Sequence, residues 1–396
     1  MLSAADADAI RSAPTSRQPA RCRVAHLTSV HARNDTRIFI KQCRTLAANG
    51  YDVTLVVADS QGNELKDGVT IADVGCLPGR LNRIFKSTRR VLDKAVALDA
   101  HIYHLHDPEL IPIGLKLKRL GKKVIFDSHE DVPQQILDKP YLDPLSLRVL
   151  SGMAACYERF ACPRLDGIIG ATPFIRDKFL RMNPQTVDVS NFPLLDELDG
   201  DVQWANKHAE VCFVGGLDTI RGAREIVRAC ELLRTPTRLN LAGRFSEAAL
   251  KKEVRAFAGW SRVNDHGFLD RGGVRDVLGR SLAGLVTSHP IGNFLQGLPI
   301  KMFEYMAASI PVIASNISSW RDIIEGNDCG LCVDPFDPLA IARAIDYLAM
   351  HPEHAERMGQ NGRKAVMEKY NWPVQAAKLT DFYRRISGDE LFRSAA

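Results

Sequence analysis

The sequence predicts an α/β protein of two doubly wound, Rossmann-like domains facing each other across a cleft, and three observations carry that prediction. Short apolar runs alternate with helical periodicity from end to end, as parallel βαβ units require. At 396 residues the chain exceeds what one core usually supports, so two domains of about 150–200 residues are expected. The pattern breaks over residues 192–208, where Phe192-Pro193 is followed by several acids without apolar periodicity. Ligands of such folds bind beyond the strand C-termini.

Residues 1–20 are small and polar with no apolar core, and read as a disordered tail and not a signal peptide. The first domain is placed at 21–191. Arg23–Thr28 and Asp52–Val57 read as strands; between them Ile38, Phe39, Cys43, Leu46 and Ala47 recur at helical spacing, and Asn49-Gly50 stops the helix. His101–Leu105, Lys123–Phe126 and Gly167–Gly170 are further strands. Pro108 sits at a helix start, where its missing N–H does no harm. After a linker at 192–208, the second domain (209–372) opens with the strand Val211–Val214. Strands at Arg238–Ala242, Ala283–Val286, Pro311–Ala314 and Gly330–Val333 follow. Helices from about Pro338 to Arg385 close the chain, with 373–396 expected to pack back on the first domain. No period of 20–50 residues repeats as a solenoid would.

Hydrophobic content of 45% and charged content of 25% are ordinary for a soluble globular protein. The net charge of +5 is mild, and no aromatic-interleaved basic strand supports nucleic-acid binding. Basic residues cluster at Arg80, Arg83, Lys86, Arg89, Arg90 and Lys94, and again over Lys116–Lys123. Such clusters are either solvated helix faces or a docking surface for an anionic membrane or lipid phosphate. No apolar run approaches the ~20 residues of a membrane span. The nine cysteines lie mostly inside apolar runs, which suggests reduced core thiols and a cytoplasmic protein, peripheral on the inner membrane face if it meets a membrane. Cys329-Gly-Leu-Cys332 has no second pair for zinc and lies in an expected strand, and Asp199-Gly-Asp201 falls in the linker, so no metal is expected.

Residues 296–315 say more than any other segment. A glycine-containing bend, Gln296-Gly297-Leu298-Pro299, runs into a short helix with Glu304, and Pro311 then opens an apolar strand. That order aims backbone N–H groups and a helix N-terminus at an anion, and sets a carboxylate one turn on, where it can hold sugar hydroxyls. An anion beside a polyol describes a nucleoside diphosphate-sugar.

With Gly297-Leu-Pro, Glu304-Tyr-Met-Ala and Pro311-Val-Ile-Ala, the chain resembles GT-B glycosyltransferases of family 4. Supporting matches are Val214-Gly-Gly-Leu with Arg221-Gly222, Leu241-Ala-Gly243, His266-Gly267, Tyr370-Asn-Trp372, His104-Leu-His106-Asp-Pro, and Val124-Ile-Phe-Asp-Ser-His129-Glu. His31-Ala-Arg-Asn-Asp35-Thr-Arg37 and His129-Glu-Asp-Val-Pro133 resemble a subgroup of bacterial surface-polysaccharide transferases. The resemblance covers nearly everything after residue 22. It implies glycosyl transfer with retention from a nucleoside diphosphate-sugar, without a metal or other cofactor, to a glycan or lipid-linked acceptor. The donor belongs on the second domain and the acceptor on the first.

Residue by residue, the resemblance places Glu304 at the nucleotide ribose. Gln296 stands where the family's first glutamate lies, near the transferred sugar, and supplies hydrogen bonds but no charge. Arg221 stands where the family has a lysine before glycine; its guanidinium can pair bidentately with a leaving diphosphate. The usual partner arginine is Gly216 here, and Lys301 can replace the missing charge. Gly215, Gly216, Gly297 and Leu298 join the donor contacts. His129 matches the histidine beside the reacting centre, with Asp127, Glu130 and Asp131 around it. Asp35 and Arg37 follow the first strand, where acceptor loops belong, although Asp35 also suits a helix cap; His106, Asp107 and Glu109 are similarly placed. Other readings of the same scaffold are an epimerase, a phosphorylase, or a non-catalytic nucleotide-sugar-binding subunit.

Overall fold

The structure is a computed structural model that describes residues 21–77, 79, 82, 86–137, 143–195 and 204–388. The expected tail at 1–20, Arg80 and Arg83 of the basic cluster, Asp199 and Asp201, and the last eight residues of the C-terminal segment lie outside the described residues. Contacts divide the chain into two compact units, Met1–Ile125 with Thr380–Ala396, and Phe126–Leu379.

The first sheet contains β1 (Arg23–Leu27), β2 (Asp52–Val57), β3 (Glu64–Lys66), β4 (Val69–Asp73), β5 (Ile102–Leu105), β6 (Lys123–Ser128), β7 (Gly167–Gly170) and β8 (Thr186–Asp188), in the order β3-β4-β2-β1-β5-β6-β7-β8. β1 pairs in parallel with both β2 and β5, and the β3–β4 hairpin is antiparallel. Its turn is Asp67-Gly68, both at positive φ (51° and 77°), the conformation a two-residue hairpin loop demands. The helix expected after β1 begins earlier, at Thr36, with wide π-type turns to Cys43 before an α-helical end at Arg44–Ala48.

The second sheet contains β9 (Glu210–Val214), β10 (Arg238–Ala242), β11 (Val263–Gly267), β12 (Ala283–Val286), β13 (Val312–Ser315) and β14 (Gly330–Val333). Its order is β11-β10-β9-β12-β13-β14, with all pairings parallel. Helices cover both faces, so its strands read as continuous apolar runs. Val211 and Phe213 pack with the helices Ala223–Leu232 and Pro338–Met350. Cys212, between them, faces the other way, toward Met302, Tyr305 and Trp320.

These orders reverse direction once in each sheet, beside β1 and β5 in the first and beside β9 and β12 in the second. Such a reversal opens a crevice at the carboxyl ends of the strands. Gly215 and Thr287 directly follow β9 and β12; Thr28 and His106 directly follow β1 and β5.

Candidate active site

The second sheet's reversal is built around glycines that cannot be replaced without moving backbone. Gly215 has φ +117°, and a Cβ on Gly243 would stand 1.8 Å from the Gly215 carbonyl oxygen. Gly222 has φ +76°, and its Cβ would meet the Thr287 carbonyl at 2.5 Å. A Cβ on Gly284 would enter the Tyr305 ring at 2.2 Å. The bare strand at Gly284 therefore lets the helix Ile300–Ala307 lie close against the sheet. The Val214 N–H donates to the Tyr305 hydroxyl at 2.8 Å, tying that helix to the end of β9.

This tie sets Lys301, on the first turn of the helix, over the strand end. Its Nζ lies 3.7 Å from the centroid of the Phe213 ring, a cation–π contact. It is also 3.3 Å from where a Cβ on Gly215 would stand. Nζ is buried and has no hydrogen-bond partner. Burial pushes the ammonium down to about 7; neighbouring Arg221 adds to that push, while Glu304 and Asp218 oppose it. Arg221 and Glu304 thus both fall within electrostatic reach of Lys301. Glu304 is half-buried, one turn beyond Lys301.

Arg221 is less free than the sequence suggests. Its Nη1 pairs with Asp218 Oδ2, its backbone N–H donates to Asp218 Oδ1 at 2.8 Å, and its guanidinium lies 5.6 Å from the Phe294 ring centroid. Gly216 stands open beside it, with the nearest atom to a Cβ being Arg221 Nη1 at 3.7 Å. The bend before the helix is fixed by Trp320, whose indole N–H donates to the Gly297 carbonyl at 2.8 Å. Leu298 packs against the core there, and the side-chain Oε1 of Gln296 is buried without a hydrogen-bond partner. A buried ammonium and a buried side-chain amide oxygen, neither with a hydrogen-bond partner, suit the binding of a polar ligand.

Three side chains here were absent from the sequence reading. Asp218 is separated from Arg221 by an irregular turn. Glu225 and His289 face each other at 3.4 Å, with His289 ending the strand region after β12. Nothing in their local sequence distinguishes them from surface residues.

In the first unit, residues after β1 and β5 converge. Asp107 Oδ2 accepts from the Thr28 hydroxyl (3.0 Å), the Ser29 N–H (2.5 Å) and the Ser29 hydroxyl (3.1 Å), and Ser29 also reaches Glu109 at 3.3 Å. His31 bridges two acids, with Nδ1 3.5 Å from Asp35 and Nε2 3.4 Å from Asp107. Asp35 Oδ1 caps the following helix, accepting from the N–H groups of Arg37 and Ile38 at 2.9 Å. Burial works to raise the Asp35 carboxyl, but the His31 and backbone hydrogen bonds outweigh it and bring it to about 2. Arg37 is buried. Arg33, within the same motif, holds the loop by a bidentate pair to Asp59 (2.7 Å for each bond).

His106 is buried in a stack with His26 and His104, which sit opposite each other on β1 and β5. His26 Nδ1 and His106 Nε2 are 2.9 Å apart, and the Tyr383 hydroxyl is 2.7 Å from His104 Nδ1. Three histidines this close are a donor set for a metal ion. Their rings stack at 19° and 26° on His106. In the second unit His129 directly follows β6, its Nε2 3.2 Å from the buried carboxylate of Asp127. Asp131 is engaged by Lys178 at 2.9 Å and caps the helix Val132–Leu137, and Glu130 pairs with Gln135. The nine cysteines are free thiols, and burial pushes Cys329 up to about 12 and Cys332 to about 11.

Two α/β sheets, the first carrying one antiparallel edge hairpin and the second wholly parallel, with polar residues at both strand-order reversals, define a GT-B architecture. Comparison with known proteins agrees. Residues 36–189 match the model described as Glycosyltransferase Family 4, and residues 196–365 match that of Glycosyl transferases group 1. The chain belongs to these glycosyltransferases. A GDP-mannose-dependent alpha-(1-6)-phosphatidylinositol monomannoside mannosyltransferase of Mycobacterium tuberculosis is 36% identical over 102 residues, 26% of each chain. The match thus spans about a quarter of that relative's length. Among solved structures, sucrose-phosphate synthase of Thermosynechococcus elongatus superposes with a TM-score of 0.73 at 19% identity, covering 93% of this chain and 99% of that one. Anabaena HepE in complex with UDP and glucose gives 0.69 at 12% identity, covering 92% and 100%.

Proposed function

We propose that the protein is a retaining glycosyltransferase that moves a sugar from a nucleoside diphosphate-sugar to a glycan acceptor carried on a lipid, in the assembly of cell-surface polysaccharide. One observation carries this reading: the buried, unpartnered ammonium of Lys301, with Arg221 and Glu304 in electrostatic reach and Gly215 opening the backbone beside it. A diphosphate supplies the counter-charge that Lys301 lacks. Arg221 contributes the second cation, and Glu304 accepts from the ribose hydroxyls in charge-assisted hydrogen bonds. The mycobacterial relative, by its name, uses GDP-mannose and a phosphatidylinositol-borne acceptor, and the Anabaena protein is bound to UDP. Both support a nucleotide-sugar donor; neither selects the base.

In this mechanism the bond from the anomeric carbon to the leaving diphosphate breaks as charge builds on the phosphate oxygens, which Lys301 and Arg221 neutralise. The acceptor hydroxyl attacks from the same face, and its proton passes to the departing phosphate oxygen. His129, its ring held by Asp127, orients the sugar. Gln296 binds a sugar hydroxyl without stabilising positive charge on the ring. Asp35, Arg37, His106, Asp107 and Glu109 belong to the acceptor side, with His106 acting through the loop it anchors. The two cations do the work a metal does elsewhere. The protein works at the inner face of the cytoplasmic membrane.

Incubation with a panel of nucleotide-sugars, reading released nucleoside diphosphate, tests the proposal. Turnover or hydrolysis of at least one is expected; no binding and no hydrolysis of any contradicts it. Arg221→Ala and Glu304→Gln should each lower turnover at least about tenfold, the loss of ~1.4 kcal/mol of transition-state stabilisation. Gln296 and Gly216 favour one second reading, a binding subunit without activity. Full polysaccharide production by cells carrying either variant supports that reading instead.

A further inference from the structure

The helix Pro144–Ala161 is oriented the wrong way round for a surface helix. Its acid, Glu158, faces inward and pairs with Lys178 at 2.6 Å, and Ser151 donates inward to the Pro133 carbonyl. Four large apolar side chains face out: Leu145 is 70% exposed, Met153 63%, Val149 53% and Phe160 52%. These residues recur every three to four positions, with exposed Cys156 among them, and form one stripe along the helix. Tyr157 and Leu150 border the stripe on one side. On the other side stand the exposed cations Arg148 and Arg159, and Arg164 follows, its guanidinium 4.0 Å from the Phe160 ring centroid. From Pro144 to Arg164 the only acid is the buried Glu158. A continuous apolar patch rimmed by charge marks an interaction surface.

We propose that this helix lies in the headgroup layer of an anionic lipid bilayer, with the Leu145–Phe160 stripe in the acyl boundary and Arg148, Arg159 and Arg164 on lipid phosphates. Charge decides the occupant. A second copy docking by the same face brings like-charged arginines together with no exposed acid on the helix to pair them. A bilayer of anionic lipid matches both the stripe and its rim. Among the described residues no helix is long and apolar enough to cross a membrane, so the contact is with the surface. The purpose of the contact rests on the lipid-borne acceptor proposed above, but its test does not.

Full-length protein is sedimented with vesicles of phosphatidylcholine alone, or of phosphatidylcholine and phosphatidylglycerol in equal parts, without donor or acceptor. Binding to the anionic vesicles only is expected. Met153→Glu combined with Phe160→Glu should weaken it at least roughly tenfold, while nucleotide-sugar hydrolysis in solution and thermal unfolding stay unchanged. In a Cys76→Ser background, an environment-sensitive fluorophore on Cys156 should shift to the blue on adding anionic vesicles. Failure of the unaltered protein to bind anionic vesicles overturns the proposal. So does a dimer that the double variant dissociates, which assigns the face to a second copy. Loss of hydrolysis with vesicle binding intact counts against the donor site alone.

Discussion

Lys301 makes the residue-scale argument quantitative. An unfolded lysine titrates at 10.5 and the folded one at about 7. Between those values the unfolded chain holds a proton that the folded protein does not, so stability rises with pH across this window, and below it the full cost of the buried charge is present. Lys301→Met should remove that rise, as read by urea unfolding of the ligand-free protein at the two ends of the window. Tyr305→Phe leaves the Val214 N–H without its acceptor and should cost about 1 kcal/mol in the same assay. Lys301 and Glu304 were singled out in sequence through the family resemblance, and the helix Ile300–Ala307 sets them one turn apart. The sequence did not show Asp218 holding Arg221, or His31 bridging Asp35 and Asp107, since those contacts depend on how loops close. Asp35 suited both a cap and an acceptor contact; its Oδ1 caps the helix and Oδ2 faces His31.

At the scale of elements, the long apolar strands were legible to within a residue or two, because a strand buried on both faces leaves no polar alternation to misread. β11, with the sequence Val-Asn-Asp-His-Gly, was missed: it is an edge strand and only half-buried. The β3–β4 hairpin was missed although Asp67-Gly68 is a strong hairpin signal, because the strands around it are three and five residues long. Gly284 shows what a strand glycine does here. Gly284→Ala forces the Tyr305 ring, and with it the Lys301 helix, off the sheet. It should destabilise the protein by roughly 1–3 kcal/mol and weaken nucleoside diphosphate binding as well, measured by thermal unfolding with and without ligand. The helix Pro144–Ala161 was not singled out from sequence, since apolar periodicity gives a face but not the direction it points.

For the whole molecule, strand order explains why residues far apart in sequence matter together. The βαβ alternation predicted the architecture, and the two reversals place Gly215 and Thr287 at one crevice and Thr28 and His106 at another. Substrate identity was not legible, because a diphosphate and a ribose are common to many donors, whereas base and sugar are read by shape. Calorimetric titration of UDP and GDP into the unaltered protein and Lys301→Met, across the pH range around 7, tests the central claim most directly. The account predicts that the unaltered protein takes up a proton on binding and loses affinity as pH rises through about 7, and that Lys301→Met binds weakly without that dependence. Equal affinity and identical pH dependence in the two proteins contradict it.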